Sequence, residues 1–168
     1  IPPPGPTLCD KVQAAGRRVQ AIGKIGDIFS GRGIDEVHKG PDARLMAHLL
    51  DSVLDAPEGS LTFANFVEFD TNHGHRRDVS GYARALEWFD SEIGNVLGRL
   101  RKDDMLLLTA DHGNDPTWPG TDHTRERVPV LVAGKGVGEI GLMAFADVGA
   151  SIAAHLGVGW TGPGRNML

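Results

Sequence analysis

The chain has 168 residues, a formal net charge of −5, and 40% hydrophobic and 23% charged residues, which suits one soluble globular domain with its own core. No apolar run approaches the ~20 residues of a bilayer span, and no charged segment leading into an apolar one marks a secretory signal. The 17 Lys+Arg against 22 Asp+Glu disfavour a nucleic-acid binder, and the lone Cys9 cannot form an internal disulfide, which fits a reducing cytoplasm.

The chain opens Ile1-Pro2-Pro3-Pro4-Gly5-Pro6. Proline lacks an amide donor and favours extended, linker-like backbone, so this run is expected to be a hinge between parts of a larger protein. Thr7 to Ala15 reads as a short helix with Thr7 as its cap and Gly16 as its stop. Val19 to Ile22 reads as a short strand, followed by a loop rich in glycine (Gly23, Gly26, Gly31, Gly33). Pro41 to Leu54 is a predicted helix, with Leu45, Leu49 and Val53 on one side. Leu61 to Phe69 reads as a strand ending at Asp70.

Tyr82, Leu86, Phe89, Ile93, Val96 and Leu100 recur at alternating steps of four and three, the stripe of a helix facing a core. Asp78 or Ser80 can cap its start. Met105 to Leu108 and Val128 to Val132 read as strands, and Phe145 to Leu156 as a last helix ended by Gly157. This alternation predicts an α/β fold, a largely parallel sheet flanked by helices, in one domain over 1–168. In such sheets ligands bind beyond the carboxyl ends of the strands.

Two segments concentrate the chemistry. One runs from Phe69 through Asp70, His73 and His75 to Asp78; the other runs from Thr109 through Asp111, His112 and Asp115 to His123 and Arg125. Each is expected to start where a strand stops, and each mixes carboxylate with imidazole. That mixture suits zinc, manganese or iron better than calcium, which prefers oxygen shells. Two such segments can hold two ions side by side, an arrangement that polarises a phosphoryl group. His38, His48 and His155 read as ordinary loop or helix residues. Lys24, Arg76 and Arg125 are candidate phosphate contacts, since lysine offers a point charge and arginine a bidentate fork. No serine has the nucleophile-elbow context, and Gly134-Lys135-Gly136-Val137-Gly138 lacks the spacing of a phosphate loop.

The stretches Ala21 to Phe29, Val67 to Asp70, Gly74 to Asp78 and, most specifically, Thr109 to Glu126 resemble the phosphopentomutase family of the alkaline phosphatase superfamily. The resemblance runs from about Pro6 to the C-terminus and implies the C-terminal part of an alkaline-phosphatase-like core. It implies two divalent ions, most often Mn2+, with Asp70, His75 and His123 as ligands of one and Asp111 and His112 as ligands of the other; His73 is then no ligand. The activity implied is interconversion of ribose 1-phosphate or deoxyribose 1-phosphate with ribose 5-phosphate, in cytoplasmic nucleoside catabolism. It proceeds through a phosphothreonine and is activated by a sugar bisphosphate.

The family's threonine, a further aspartate ligand and a cap domain have no counterpart in these residues. They are expected upstream of Ile1, with residues 1–6 as the linker returning from the cap and the isolated chain inactive. The alternatives are a related metal-dependent phosphatase, a phosphoglycerate mutase, or a non-catalytic metal-binding domain. No nucleic-acid or membrane partner is expected.

Overall fold

In the computed structural model, which describes residues 1–168, Thr7 caps the first helix, α1 (Leu8–Ala14). The Thr7 hydroxyl accepts from the Asp10 amide at 3.3 Å, and the Asp10 carboxylate accepts from the Thr7 amide at 2.6 Å. This reciprocal pair satisfies two amides that helical bonding leaves over. Strand β1 (Val19–Ile22) is buried at all four positions. Gln20 is tolerated there because its amide nitrogen donates to Glu36 at 3.2 Å and its oxygen accepts from Thr62 at 3.4 Å.

The glycine-rich stretch expected as loop contains a one-turn helix, α2 (Ile25–Ile28), and a three-residue strand, β2 (Glu36–His38). Strand β3 (Leu61–Ala64) completes a parallel sheet in the order β2-β1-β3. The central strand of a parallel sheet has to be apolar on both faces, which Val19, Ala21 and Ile22 provide.

Two compact units divide the chain, which passes between them repeatedly. One comprises residues 1–40, 55–65 and 135–168, and holds this sheet with α1 and α5 (Phe145–Leu156). Its core joins Cys9 and Val12 of α1, Val19 of β1, Ala153 of α5 and Val158, with Leu8, Ile34, Leu61, Leu156 and Trp160 packed around them. Burial pushes the Cys9 thiol up to about 11. Helix α5 occupies the predicted residues and stops at Gly157 in the left-handed region, φ 63°.

The other unit comprises residues 41–54 and 66–134. It holds nearly all of α3 (Asp42–Asp55), a π-helix (Phe69–Gly74), α4 (Val79–Leu97), and β4 (Leu106–Thr109) paired antiparallel with β5 (Val130–Ala133). The strand expected to run from Leu61 to Phe69 stops at Ala64. Beyond it Phe66 packs edge-on against Phe89 (centroids 5.3 Å), and Phe69 against Tyr82 and Phe89 (5.9 and 5.6 Å). The apolar character read as strand is thus spent on the aromatic stripe of α4, while the backbone winds into the wide helix. In α4, Ile93 and Val96 are buried, whereas Leu86 is exposed. No helix is long and apolar enough to cross a membrane.

Candidate metal centre

The π-helix positions the first two site residues. Its bonding is i to i+5: the His75 amide donates to the Asp70 carbonyl at 3.0 Å, and the Asp78 amide to the His73 carbonyl at 3.0 Å. The wide turn brings residue 75 back over residue 70, so that His75 Nε2 lies 3.3 Å from Asp70 Oδ2. Asp42, at the start of α3, holds the entry to this helix. Its carboxylate accepts from the amides of Val67 at 3.2 Å and Glu68 at 3.0 Å. Burial raises the Asp42 carboxyl above its ordinary range, against the pull of those two donors.

The third residue comes from a loop between Gly113 and Thr124. These two residues form an isolated bridge that closes the loop at its base, with the Thr124 amide donating to the Gly113 carbonyl at 3.1 Å. The Asp115 amide donates to the Thr124 hydroxyl at 2.8 Å. An Asx turn follows, in which Asp115 Oδ1 accepts from the Thr117 amide and hydroxyl. Those bonds hold the Asp115 carboxyl below its usual range. His123, one residue before the base of the loop, places Nε2 3.3 Å from Asp70 Oδ1 and 3.2 Å from His75 Nε2.

Asp70, His75 and His123 thus converge, with one ligand atom from each lying within 4.8 Å of the others. Their chemistry fits a metal ion. His75 Nδ1 lies 2.5 Å from the Thr121 carbonyl, which can only accept, so Nδ1 carries the proton and Nε2 presents a lone pair to the centre. Two imidazole Nε2 atoms 3.2 Å apart beside a carboxylate repel unless a cation or a proton lies between them. Ligands bonded to one ion at ~2.1 Å sit about 3.0–3.4 Å apart in octahedral or tetrahedral geometry, and each histidine nitrogen lies at such a distance from the other nitrogen and from its own oxygen of the Asp70 carboxylate.

Asp111 and His112 lie just past the end of β4. His112 Nδ1 faces its neighbour's carbonyl (Gly113 O) at 3.2 Å, which leaves the lone pair on Nε2, 3.7 Å from Asp111 Oδ1. The His112 ring stacks on His123 with centroids 3.8 Å apart. The two sets of residues expected to hold separate ions are therefore adjacent, and this second set supplies two donor atoms. His73 is turned away to Asp78, Nδ1 to Oδ2 3.3 Å. Asp78 also caps α4 through the Gly81 amide at 2.9 Å.

Among the candidate phosphate contacts, Arg76 and Arg125 are exposed and flank His75 and His123 in sequence, within the same unit as the triad. Lys24 precedes α2, exposed, in the other unit. An open cavity of about 300 Å³ borders His112 and is lined by Tyr82, Asn114, Glu126 and Arg127. Burial, then the charges of Asp70 and Glu126, raise the Tyr82 phenol, so it stays protonated as a donor at neutral pH. Sequence reasoning missed Arg77, Asn114 and Asp42. The positive φ of Arg77 (54°), unusual for a side chain of its size, has no signature in the one-dimensional pattern.

Several curated proteins named Phosphopentomutase align with the chain. That of Methylobacterium radiotolerans is 54% identical over 172 residues, covering 100% of this chain and 42% of its own length. That of Chelativorans sp. is 58% identical over 160 residues, covering 93% and 39%. That of Agrobacterium fabrum is 50% identical over 172 residues, covering 100% and 42%. The chain therefore spans about two fifths of the length of these relatives. The pattern of the Metalloenzyme superfamily matches residues 10–159, and with its converging carboxylate and imidazoles the chain belongs to that superfamily.

Proposed function

We propose that the protein carrying this chain is a phosphopentomutase, an isomerase that moves a phosphoryl group between the 1- and 5-positions of ribose or deoxyribose. The observation that carries this reading is the convergence of Asp70, His75 and His123 beside Asp111 and His112. The 50–58% identity to proteins of that name supports it. Asp70, His75 and His123 would hold one divalent ion. Asp111 and His112 would hold a second with a further ligand from outside the 168 residues. When bound, such ions polarise the phosphoryl group and neutralise charge on the attacking and leaving oxygens.

The residues of the chain do the rest. Thr121 keeps His75 in the tautomer that presents Nε2. Arg76 and Arg125 offer forks to the phosphate oxygens. The nucleophile in this reading is a threonine outside the chain, activated by a sugar bisphosphate. The resident ion is manganese, and the reaction belongs to cytoplasmic nucleoside catabolism. The isolated chain, with three ligands at one site and two at the other, is proposed to bind one ion tightly and to turn nothing over.

The full-length protein is to be assayed with Mn2+ on ribose 5-phosphate, on phosphoglycerate and on a simple phosphate ester. Interconversion of the pentose phosphates is the expected result. Turnover of phosphoglycerate, or release of free phosphate alone, would replace the proposal with a related mutase or a phosphatase.

A further inference from the structure

Arg77 lies two residues after His75, with its backbone in the left-handed region. Its guanidinium is directed into the mouth of the loop that ends in His123. Nη1 donates to the Gly74 carbonyl at 3.0 Å, the Asn114 side-chain oxygen at 2.7 Å and the Asp115 carbonyl at 2.8 Å. Nη2 donates to the Asp122 carbonyl at 2.6 Å, and Nε to the Gly120 carbonyl. The five acceptors are neutral amide oxygens, four of them 37 to 45 residues away in sequence. A planar fork with several donors in fixed directions can serve such a set, and a lysine ammonium cannot.

Asn114 carries this arrangement to the metal ligands. Because arginine only donates, the Asn114 atom facing it must be the carbonyl oxygen, so the amide nitrogen faces the other way. That nitrogen donates to Asp70 Oδ1 at 2.6 Å. The amide is buried against Gly74, where an added Cβ would lie 2.4 Å from Nδ2, so it has no room to turn aside. The carboxylate plane of Asp70 is thereby set, with Oδ1 toward His123 and Oδ2 toward His75. The same guanidinium holds the carbonyls on either side of Thr121, the residue that orients His75.

We infer that Arg77 and Asn114 form a latch that holds the ion site ready-made, Arg77 clasping the His123 loop and Asn114 orienting Asp70. Both are positioning residues. The inference rests on the metal reading of the triad and adds to it the residues that set its affinity. Outer partners of metal ligands typically change affinity by about 10–100-fold.

The test is Mn2+ binding to the full-length protein after chelation, read from the electron paramagnetic resonance signal of free Mn2+, for wild type, R77K, N114S and D70A. R77K and N114S are expected to raise the Mn2+ Kd at least about tenfold. Excess Mn2+ should restore kcat with the pentose phosphate KM within about twofold, a split that general loss of folded protein does not produce. Wild-type affinity in folded R77K and N114S would overturn the latch while leaving the triad in place. If R77K fails to fold, N114S decides by the same criterion. A wild type binding no Mn2+, or D70A binding it as well as wild type, would overturn the metal reading and the latch with it.

Discussion

Each of the two units is stabilised internally by its own means. The sheet unit rests on closely packed apolar side chains: Val12, Val19, Ala21, Ile22 and Ala153 are fully buried. In the unit that carries the candidate site the strands are only partly covered and Leu131 is largely exposed, while the site segments are tied by Arg77, Asn114 and Asp42. Apolar packing is non-directional and tolerates shape-conserving substitution. Directed hydrogen bonds fix angles, which metal ligands require, and they fail when one donor or acceptor is removed. Stability and site geometry should therefore respond to different substitutions.

The largest effect should come from D70A in the full-length protein. Activity is expected to fall by more than about 100-fold, since loss of even an outer partner costs about 10–100-fold. The melting temperature of the metal-free protein should fall only slightly, because Asp70 is partly exposed and its close partners are the imidazoles of His75 and His123 and the amide of Asn114. Unchanged turnover would remove it from the ligand set. Chelation should act alike on the wild type. Hydrogen exchange at residues 113–124 is expected to rise, with the amides of β1 unaffected.

The converse comes next. I22A deletes a fully buried side chain of β1 and should destabilise by about 2–5 kcal/mol while leaving Mn2+ affinity within about twofold. A matching fall in affinity would erase the contrast between the units.

D42A removes the acceptor of two backbone amides and should cost about 1–3 kcal/mol, measured by urea unfolding. D42N keeps one acceptor oxygen and carries no buried charge, so it should lose less at pH 7. The sign follows from the raised carboxyl. The folded state binds the proton more tightly than the unfolded chain, so this group's contribution is full below the ordinary carboxylate value and is lost as pH rises through the folded one. D42N should flatten that part of the pH–stability curve.

The smallest effect concerns Cys9. Its thiol, raised by burial from 9.0 to about 11, should react with a thiol reagent at pH 8 only at the rate of opening. Its contribution to stability is full below the unfolded value and fades as pH rises toward 11. Rapid labelling of the native protein would show that the sheet unit is looser than its packing implies.

What was legible in the sequence was local. The Thr7 cap, the strand Val19–Ile22, the Asp78 cap and the helix Phe145–Leu156 follow from neighbours within a few residues. Strand β2 was not legible, because Glu36-Val37-His38 has one apolar residue and owes its conformation to pairing with β1. The run to Phe69 looked like strand because Phe66, Phe69 and their neighbours are apolar. Their rings are instead claimed by Phe89 and Tyr82 on α4, and the backbone takes the π-helical turn.

The same division holds at the site. By itself the sequence determined the donor chemistry: a carboxylate and imidazoles in two segments, of a kind that binds transition metals. Only the tertiary structure decided which of them meet. His75 reaches Asp70 through a five-residue backbone bond, and His123 arrives from 48 residues downstream on a loop held by Arg77. Residue type sets what an atom can bond. The angle and distance at which it does so are set by backbone turns and hydrogen bonds between segments far apart in the chain.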